Sequence, residues 1–196
     1  MNVKNLAVLV VMAAIAMFMA VGVASAHQPF PLPIRGVYDG TAECTCLVAP
    51  LGFNTNLTPK GGVGSIAIQN RKATFTFEKH GKGSVTAQGS QIGWPFGGQG
   101  SPSAALLTLS FDFTYTATPD RTITFTPGIG TVTFTAGPNA GLTLEATIPP
   151  LKGAITPDGK MITIFVDASY VGTLGGSAEQ SCTCIYVLTW QGDEKE

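Results

Sequence analysis

Two short cysteine motifs place the strongest constraint on how this chain folds. The 196-residue sequence contains four cysteines, in the segments ECTCL (43–47) and SCTCI (181–185). Both segments have the composition of β-strands, in which side chains alternate between two faces, so the two sulfurs of each motif lie on one face. If the strands are antiparallel, Cys44 lies opposite Cys184, and Cys46 then lies opposite Cys182. The first and last strands are therefore predicted to be neighbours.

We interpret these cysteines as two disulfides that join the ends of the domain. The predicted pairs are Cys44 with Cys184 and Cys46 with Cys182, with Cα atoms about 4.4 to 6.8 Å apart. Parallel strands would instead give the crossed pairing. A four-thiolate zinc or iron–sulfur site is the alternative, but such sites usually take cysteines from turns with two or more intervening residues. The sequence therefore predicts no cofactor and no cysteine-bound metal.

Residues 1–26 have the features of a secretion signal. Lys4 is the only charge, residues 6–23 are apolar, and the segment ends in the small residues Ala24-Ser25-Ala26. A retained membrane anchor is the alternative, because the apolar run is about as long as the shortest spanning helices. We expect a secreted or periplasmic protein in an oxidising compartment, with residues 27–196 forming a single domain.

Charge excludes one class of partner. The chain has 11 basic and 12 acidic residues, a formal net charge of −1, so no basic field attracts nucleic acid. Charged residues are only 12% of the sequence, which is common in exported β-proteins and also fits a wall that faces lipid. Membrane association and oligomeric state stay open, as does glycosylation at Asn56 in the sequon Asn56-Leu57-Thr58.

The rest of the chain shows strand patterns and no helical spacing. Alternating apolar residues and turn signals predict strands at 35–48, 63–69 (Ile66, Ile68), 73–77, 84–88, 107–117, 122–126, 131–135, 142–148, 161–171 and 179–190. Antiparallel terminal strands favour one up-and-down β-barrel of about eight strands. This order, with the opening strand Gly36-Val37-Tyr38-Asp39-Gly40, resembles the calycin-like architecture of lipocalins and avidins. The resemblance implies an architecture and no residue roles.

Large aromatic residues dominate the faces predicted to point inward. They are Tyr38, Phe75, Phe77, Phe111, Phe113, Tyr115, Phe125, Phe134, Tyr186 and Trp190. An eight-stranded barrel is either filled by such side chains or holds one small ligand. We take these residues as the candidate lining of a site for a small hydrophobic molecule. The glycine-rich segment 92–100 is read as a loop, whose Trp94 and Phe96 form either a lid or a plug at one end.

Catalytic signals are weak. No serine-hydrolase, zinc-protease or phosphate-loop motif is present. An enzyme that acts on a hydrophobic substrate in the barrel remains an alternative, and Asp167 would be a buried acid or base only if Phe165 points inward. A second alternative is a small outer-membrane barrel, because Tyr186, Leu188 and Trp190 alternate as a lipid-facing strand would.

The two histidines suggest one metal alternative. Cleavage after Ala26 would make His27 the N-terminal residue, and an N-terminal histidine with a second imidazole resembles the copper brace of lytic polysaccharide monooxygenases. His80 is the candidate second ligand. A terminal histidine and a histidine in a turn have simpler explanations, so copper binding is kept only as an alternative.

Overall fold

Strands account for almost all of the regular structure. The computed structural model describes residues 34–98, 100–167, 171–176 and 178–193, so the predicted signal at 1–26 and the proline-rich arm that follows it lie outside the described residues. The strands are β1 (Gly36–Ala49), β2 (Gly64–Phe77), β3 (Lys82–Phe96), β4 (Ser103–Ala117), β5 (Thr122–Pro127), β6 (Ile129–Ala136), β7 (Thr143–Thr147), β8 (Leu151–Ile155), β9 (Met161–Val166), β10 (Val171–Leu174) and β11 (Ala178–Gly192). Short 3₁₀ turns occupy Lys60–Gly62 and Lys79–Gly81. None of the helical segments in the described ranges is long and apolar enough to cross a membrane.

The strands form one antiparallel sheet that closes on itself. Eight of them make a ring in the order β1, β2, β3, β4, β5, β8, β9 and β11, and β11 pairs again with β1. The prediction of an all-β barrel with neighbouring first and last strands is confirmed. Closure removes the free sheet edges that would otherwise invite pairing with another chain.

Three strands of this barrel are interrupted halfway along their length. Their continuous neighbours show the interruptions. β4 pairs with β5 along one half of its length and with β6 along the other, and β11 pairs with β9 along one part and with β10 along another. The pairing register of β5 with β8 continues without a shift into that of β6 with β7. The eleven elements are therefore an eight-stranded meander in which β5–β6, β7–β8 and β9–β10 are each one broken strand.

Proline explains two of these interruptions. Pro127 ends β5, and Pro149-Pro150 separate β7 from β8. A proline nitrogen carries no hydrogen, so it cannot donate to the neighbouring strand. We use the name lower half for the part of the barrel closed by β5, β8 and β9, and upper half for the part closed by β6, β7 and β10.

The seam between β1 and β11 has the predicted register. Cys44 lies opposite Cys184 and is bonded to it, and the second bridge joins Cys46 to Cys182. The Cα separations are 4.2 and 4.1 Å, slightly below the range expected from the sequence. Directly opposed residues in an antiparallel pair approach to about 4.5 Å, which accounts for the short distance. The predicted pairing is confirmed.

The lower end of the barrel is closed by two tyrosines. The Tyr115 hydroxyl donates to the Ile34 carbonyl at 2.7 Å, and the Tyr38 hydroxyl donates to the Gly159 carbonyl at 2.6 Å. Burial, followed by the neighbouring Tyr115, raises the pKa of Tyr38 to about 12. Burial also raises the pKa of Tyr115. Both hydroxyls therefore remain protonated donors at neutral pH. They hold Ile34, just before β1, and Gly159, in the turn before β9, against the barrel.

The predicted boundaries of β2 were wrong in an informative way. The separate strands expected at 63–69 and 73–77 are one strand, and Ile66 and Ile68 are 45% and 47% exposed. Ala67 and Gln69 face inward instead, in phase with the buried Phe75. Because side chains alternate strictly, the large buried aromatics fix the phase of the whole strand.

Candidate functional site

Aromatic side chains fill the lower half. Phe113 packs against three other phenylalanines, with its ring centroid 5.4 Å from that of Phe77, 6.0 Å from that of Phe75 and 5.3 Å from that of Phe125. Most of these rings meet edge to face, an arrangement that aromatic pairs favour. Phe75, Phe77 and Phe125 are almost completely buried. The lower half is therefore a packed core.

The upper half contains a partly open cavity of about 270 Å³. Both halves are built from eight strands, so the difference does not arise from the number of strands in the ring. It arises from side-chain size, because five of the inward positions of β1, β2 and β3 in the upper half carry small residues. These are Cys44, Cys46, Ala67, Gly89 and Gly93. Side chains of this size leave space where the phenylalanines of the lower half leave none.

The cavity has one apolar side and one polar side. The apolar side is formed by inward residues of β4, β6, β7 and β10, namely Leu107, Leu109, Phe111, Val132, Phe134, Leu144, Ala146 and Leu174. The polar side is formed mainly by β2, β3 and β11, with Ser65, Gln69, Arg71, Gln91, Gln180 and Tyr186. The two disulfides contribute Cys182 and Cys184 to the wall. A mostly apolar site with a few polar groups is typical of small-molecule pockets.

Arg71 is the only charged side chain among the described residues that line this cavity. It lies on the inward face of β2, opposite Ala42 of β1 and Gly89 of β3. Both neighbours are small, which leaves room for the long side chain inside the wall. A Cβ atom at Gly89 would come within 2.9 Å of Arg71 Cγ and 2.4 Å of the Asn70 carbonyl oxygen.

A short network of hydrogen bonds fixes the guanidinium. Arg71 Nη1 donates to the Tyr186 hydroxyl at 3.3 Å, and Nη2 donates to Gln69 Oε1. Gln69 in turn donates through Nε2 to Gln91 Oε1 at 2.8 Å. Arg71 Nε is buried and has no hydrogen-bond partner. The site therefore places a positively charged side chain, held by neutral partners, beside an otherwise largely apolar space.

The predicted aromatic residues divide between the two halves. Phe75, Phe111, Phe134 and Tyr186 line the cavity. Tyr38, Phe77, Phe113, Tyr115 and Phe125 are absent from its wall, and their rings belong to the lower cluster. Trp190 is 37% exposed and lies at the lower rim beside Gly36. The structure thus brings together only part of the predicted lining.

The segment with Trp94 and Phe96 is not a loop. β3 continues as a strand to Phe96, and Trp94 lies opposite Ile66 on the outer surface, 41% exposed. Neither aromatic side chain lines the cavity. The expectation of a lid or plug on a free loop is corrected, because the glycines and proline of this segment are accommodated in the sheet.

The other candidate residues lie apart from the cavity. His80 is exposed in the turn between β2 and β3, and His27 lies outside the described residues. Phe165 is 56% exposed while Ile164 is fully buried, so the side chain of Asp167 faces outward and Asp167 is exposed. Within the described ranges, no group of three or more His, Cys, Asp or Glu side chains is arranged to hold a metal ion.

Sequence reasoning missed Gln69 and Arg71 as interior residues. The alternation of side chains along the strand does identify them, because every second residue before the inward Phe77 and Phe75 lies on the same face. These residues are Ala73, Arg71, Gln69 and Ala67. An arginine is usually placed outside a barrel by default, since charged residues are rarely buried.

Comparisons with known proteins assign no family. No family model, curated protein or solved structure matches the chain. The functional argument therefore depends on the geometry of the cavity.

Proposed function

We propose that the protein is an exported barrel that binds a small, mostly apolar molecule in its upper half without transforming it. The observation that carries this proposal is the cavity of about 270 Å³ directly above a solid aromatic core. A barrel that needed only stability would gain from filling this space, because each buried methylene contributes about 0.8 kcal/mol. The mode of binding is lipocalin-like in the general sense that the ligand occupies the barrel interior.

The cavity volume limits the size of the ligand. It lies just below the ~300 Å³ at which pockets for drug-sized molecules begin. At about 30 Å³ for each water molecule in the liquid, it corresponds to roughly nine waters. We therefore propose a ligand of about ten non-hydrogen atoms, such as a medium-length aliphatic chain or a single substituted ring.

An enzymatic role has less support. The described lining includes hydroxyl groups at Ser65, Thr147 and Tyr186, but no carboxylate or imidazole that could act as a base towards them. General acid–base and nucleophilic catalysis both need such a partner within hydrogen-bond reach. Binding uses what the wall offers, which is apolar contact and a few polar groups.

The outer-membrane alternative also has less support. A membrane barrel presents apolar residues to lipid and polar residues to its interior. Here Tyr186 and Leu188, two of the three residues expected to face lipid on this alternative, are buried inside. At the middle of the wall, the outward positions of β1 and β2 include the exposed Glu43 and Lys72. Cell fractionation tests this alternative, and recovery in the detergent-extracted outer membrane would favour it.

Calorimetric titration with 1-octanol tests the proposal directly. Octanol has nine non-hydrogen atoms and an aliphatic body that matches the apolar side of the cavity. We expect saturable binding at one site, and loss of at least tenfold in affinity in Ala146→Phe, which places a ring in the cavity. The matched control is Ala154→Phe, because Ala154 is exposed on β8, the strand segment that continues β7.

The outcomes separate clearly. Equal octanol affinity in Ala146→Phe and in the unmodified protein would contradict binding in the upper half. Absence of binding by octanol and by aliphatic and aromatic compounds of similar size would overturn the proposed function. Native mass spectrometry of protein purified from its own host provides a second test, since a retained small molecule is expected there.

A further inference from the structure

Arg71 does not fit a site that recognises only apolar surface. Its side chain enters the cavity wall from β2, and no acidic side chain is among the described residues of that wall. Both hydrogen bonds recorded for its guanidinium go to neutral groups, Tyr186 and Gln69. An interior cation without a negative partner is costly, because burial removes water that would otherwise stabilise the charge.

The surrounding residues hold the guanidinium in place rather than neutralise it. Tyr186, Ala42, Arg71 and Gly89 lie side by side on one rung across β11, β1, β2 and β3. The small Ala42 lets Arg71 reach across β1 to the Tyr186 hydroxyl. Gln69, one inward position higher, is held by Gln91 and accepts from Nη2. A positioned arginine loses little freedom when it binds a ligand, which favours recognition.

Donors remain available for a negatively charged group. A guanidinium has five N–H donors, and the hydrogen bonds to Tyr186 and Gln69 use one on Nη1 and one on Nη2, which leaves a second N–H on each of these atoms. The Tyr186 hydroxyl accepts from Arg71 and can donate its own proton. A carboxylate has two oxygens that accept such hydrogen bonds, and its single negative charge matches the single positive charge. A phosphate monoester carries up to two charges and would need further cations, which the described wall lacks.

We propose that the ligand is a monocarboxylate with an apolar body, whose carboxylate is bound by Arg71 and Tyr186. This inference rests on the proposed binding function and names the chemical class of its ligand. The apolar body lies against β4, β6 and β7, where leucine, valine and phenylalanine side chains form the opposite wall. Medium-chain aliphatic acids and small aromatic acids both belong to this class.

Three probes of one chain length test the proposal on the whole protein with its disulfides intact. Octanoate, 1-octanol and octylamine share an aliphatic body and differ in the charge of the head group. We expect octanoate to bind at least tenfold more tightly than octanol at pH 7, and octylamine to bind more weakly than both. Arg71→Met should abolish the preference for octanoate over octanol.

Matched variants separate charge recognition from folding. Lys72→Met removes the same charge from the next residue of β2, which is exposed on the outer surface, and should keep the preference. Arg71→Lys keeps the positive charge but removes the planar donor set, so the preference should fall without disappearing. The comparison of octanoate with octanol on the unmodified protein requires no variant, so it stands even if Arg71→Met fails to fold.

Each result has one meaning. If octanol and octanoate bind unmodified protein equally, the carboxylate proposal is overturned and the apolar binding function survives. If Arg71→Met folds and keeps the preference for octanoate, Arg71 is a structural cross-link and the proposal is again overturned. If none of the three probes binds, this proposal fails, and the function falls as well if compounds of other shapes also fail. A preference for octanoate that is lost in Arg71→Met and kept in Lys72→Met supports it.

Discussion

Removing the two disulfides one after the other is expected to cost very different amounts of folding free energy in the two steps. The Cys44–Cys184 bridge closes a loop with a sequence separation of 140 residues, and the Cys46–Cys182 bridge one of 136. On the chain-entropy model, a first bridge over a loop of this length raises the free energy of the unfolded state by about 5 kcal/mol at 25 °C, because the cross-linked chain has less conformational entropy. Once it is present, the second bridge closes only a small ring of neighbouring residues and adds about 2 kcal/mol on the same model.

Urea denaturation of four proteins measures this difference. Cys44→Ala with Cys184→Ala, and Cys46→Ala with Cys182→Ala, should each cost about 2 kcal/mol beyond the cost of packing, because either remaining bridge still closes the long loop. Removal of all four cysteines should cost a further 5 kcal/mol or so. The denaturant slope should rise mainly in the variant without bridges, since its unfolded state exposes more surface.

Additivity is the result that would refute this reasoning. If each single-bridge variant loses half of what the four-alanine variant loses, the bridges act independently and the neighbouring-ring argument is wrong. Thiol titration provides the check on pairing, because neither single-bridge variant should contain a reactive thiol. Alanine is preferred to serine here, since a buried hydroxyl without a partner adds a cost of about 1–3 kcal/mol.

Three further outcomes follow from the packing of the barrel. Burial raises the pKa of Tyr38 to about 12, so the stability that its neutral form contributes is complete below about pH 10 and is lost between pH 10 and 12. Over this pH range, the urea midpoint of the unmodified protein should fall more steeply than that of Tyr38→Phe. Gly40→Ala should cost about 3 kcal/mol or more in a melting or urea experiment, because its Cβ would lie 1.9 Å from the Val187 carbonyl oxygen, whereas Gly93→Ala, which has room, should cost much less. Phe125→Leu should lower the free energy of unfolding by about 1–2 kcal/mol while octanol affinity, measured by calorimetry, stays within twofold, since Phe125 packs only in the lower half.

The features of the fold that follow from strict alternation were predictable from the sequence. Cysteines at positions i and i+2 in two strands leave few ways to pair, so the seam and the barrel closure could be predicted. The segment at 92–96 could not, because Gly93 and Pro95 usually interrupt strands. β3 tolerates Pro95 since its pairing with β4 stops at Gly93, and from Trp94 onwards only β2 is a neighbour.

The location of the cavity was not predicted, although the required information lies in the sequence. Aromatic residues were treated as one interior set, whereas their position along each strand decides whether they pack together or border empty space. On β2 the inward side chains shrink from Phe77 and Phe75 to Ala73 and Ala67, with Gln69 and Arg71 between. Reading that gradient requires the register between strands, which no single strand pattern provides.

The division of the barrel into a packed half and a hollow half explains why the disulfides lie where they do. The phenylalanine cluster stabilises the lower half through buried apolar area, at about 25 cal/mol per Å². The upper half gains less stabilisation of this kind, because side chains do not fill its interior. The bridges compensate at that point, since Cys46–Cys182 and Cys44–Cys184 lie at the level where β11 changes partner from β9 to β10. A covalent seam lowers the entropy of the unfolded chain without occupying the cavity, so the chain keeps both a stable fold and an interior with room for a ligand.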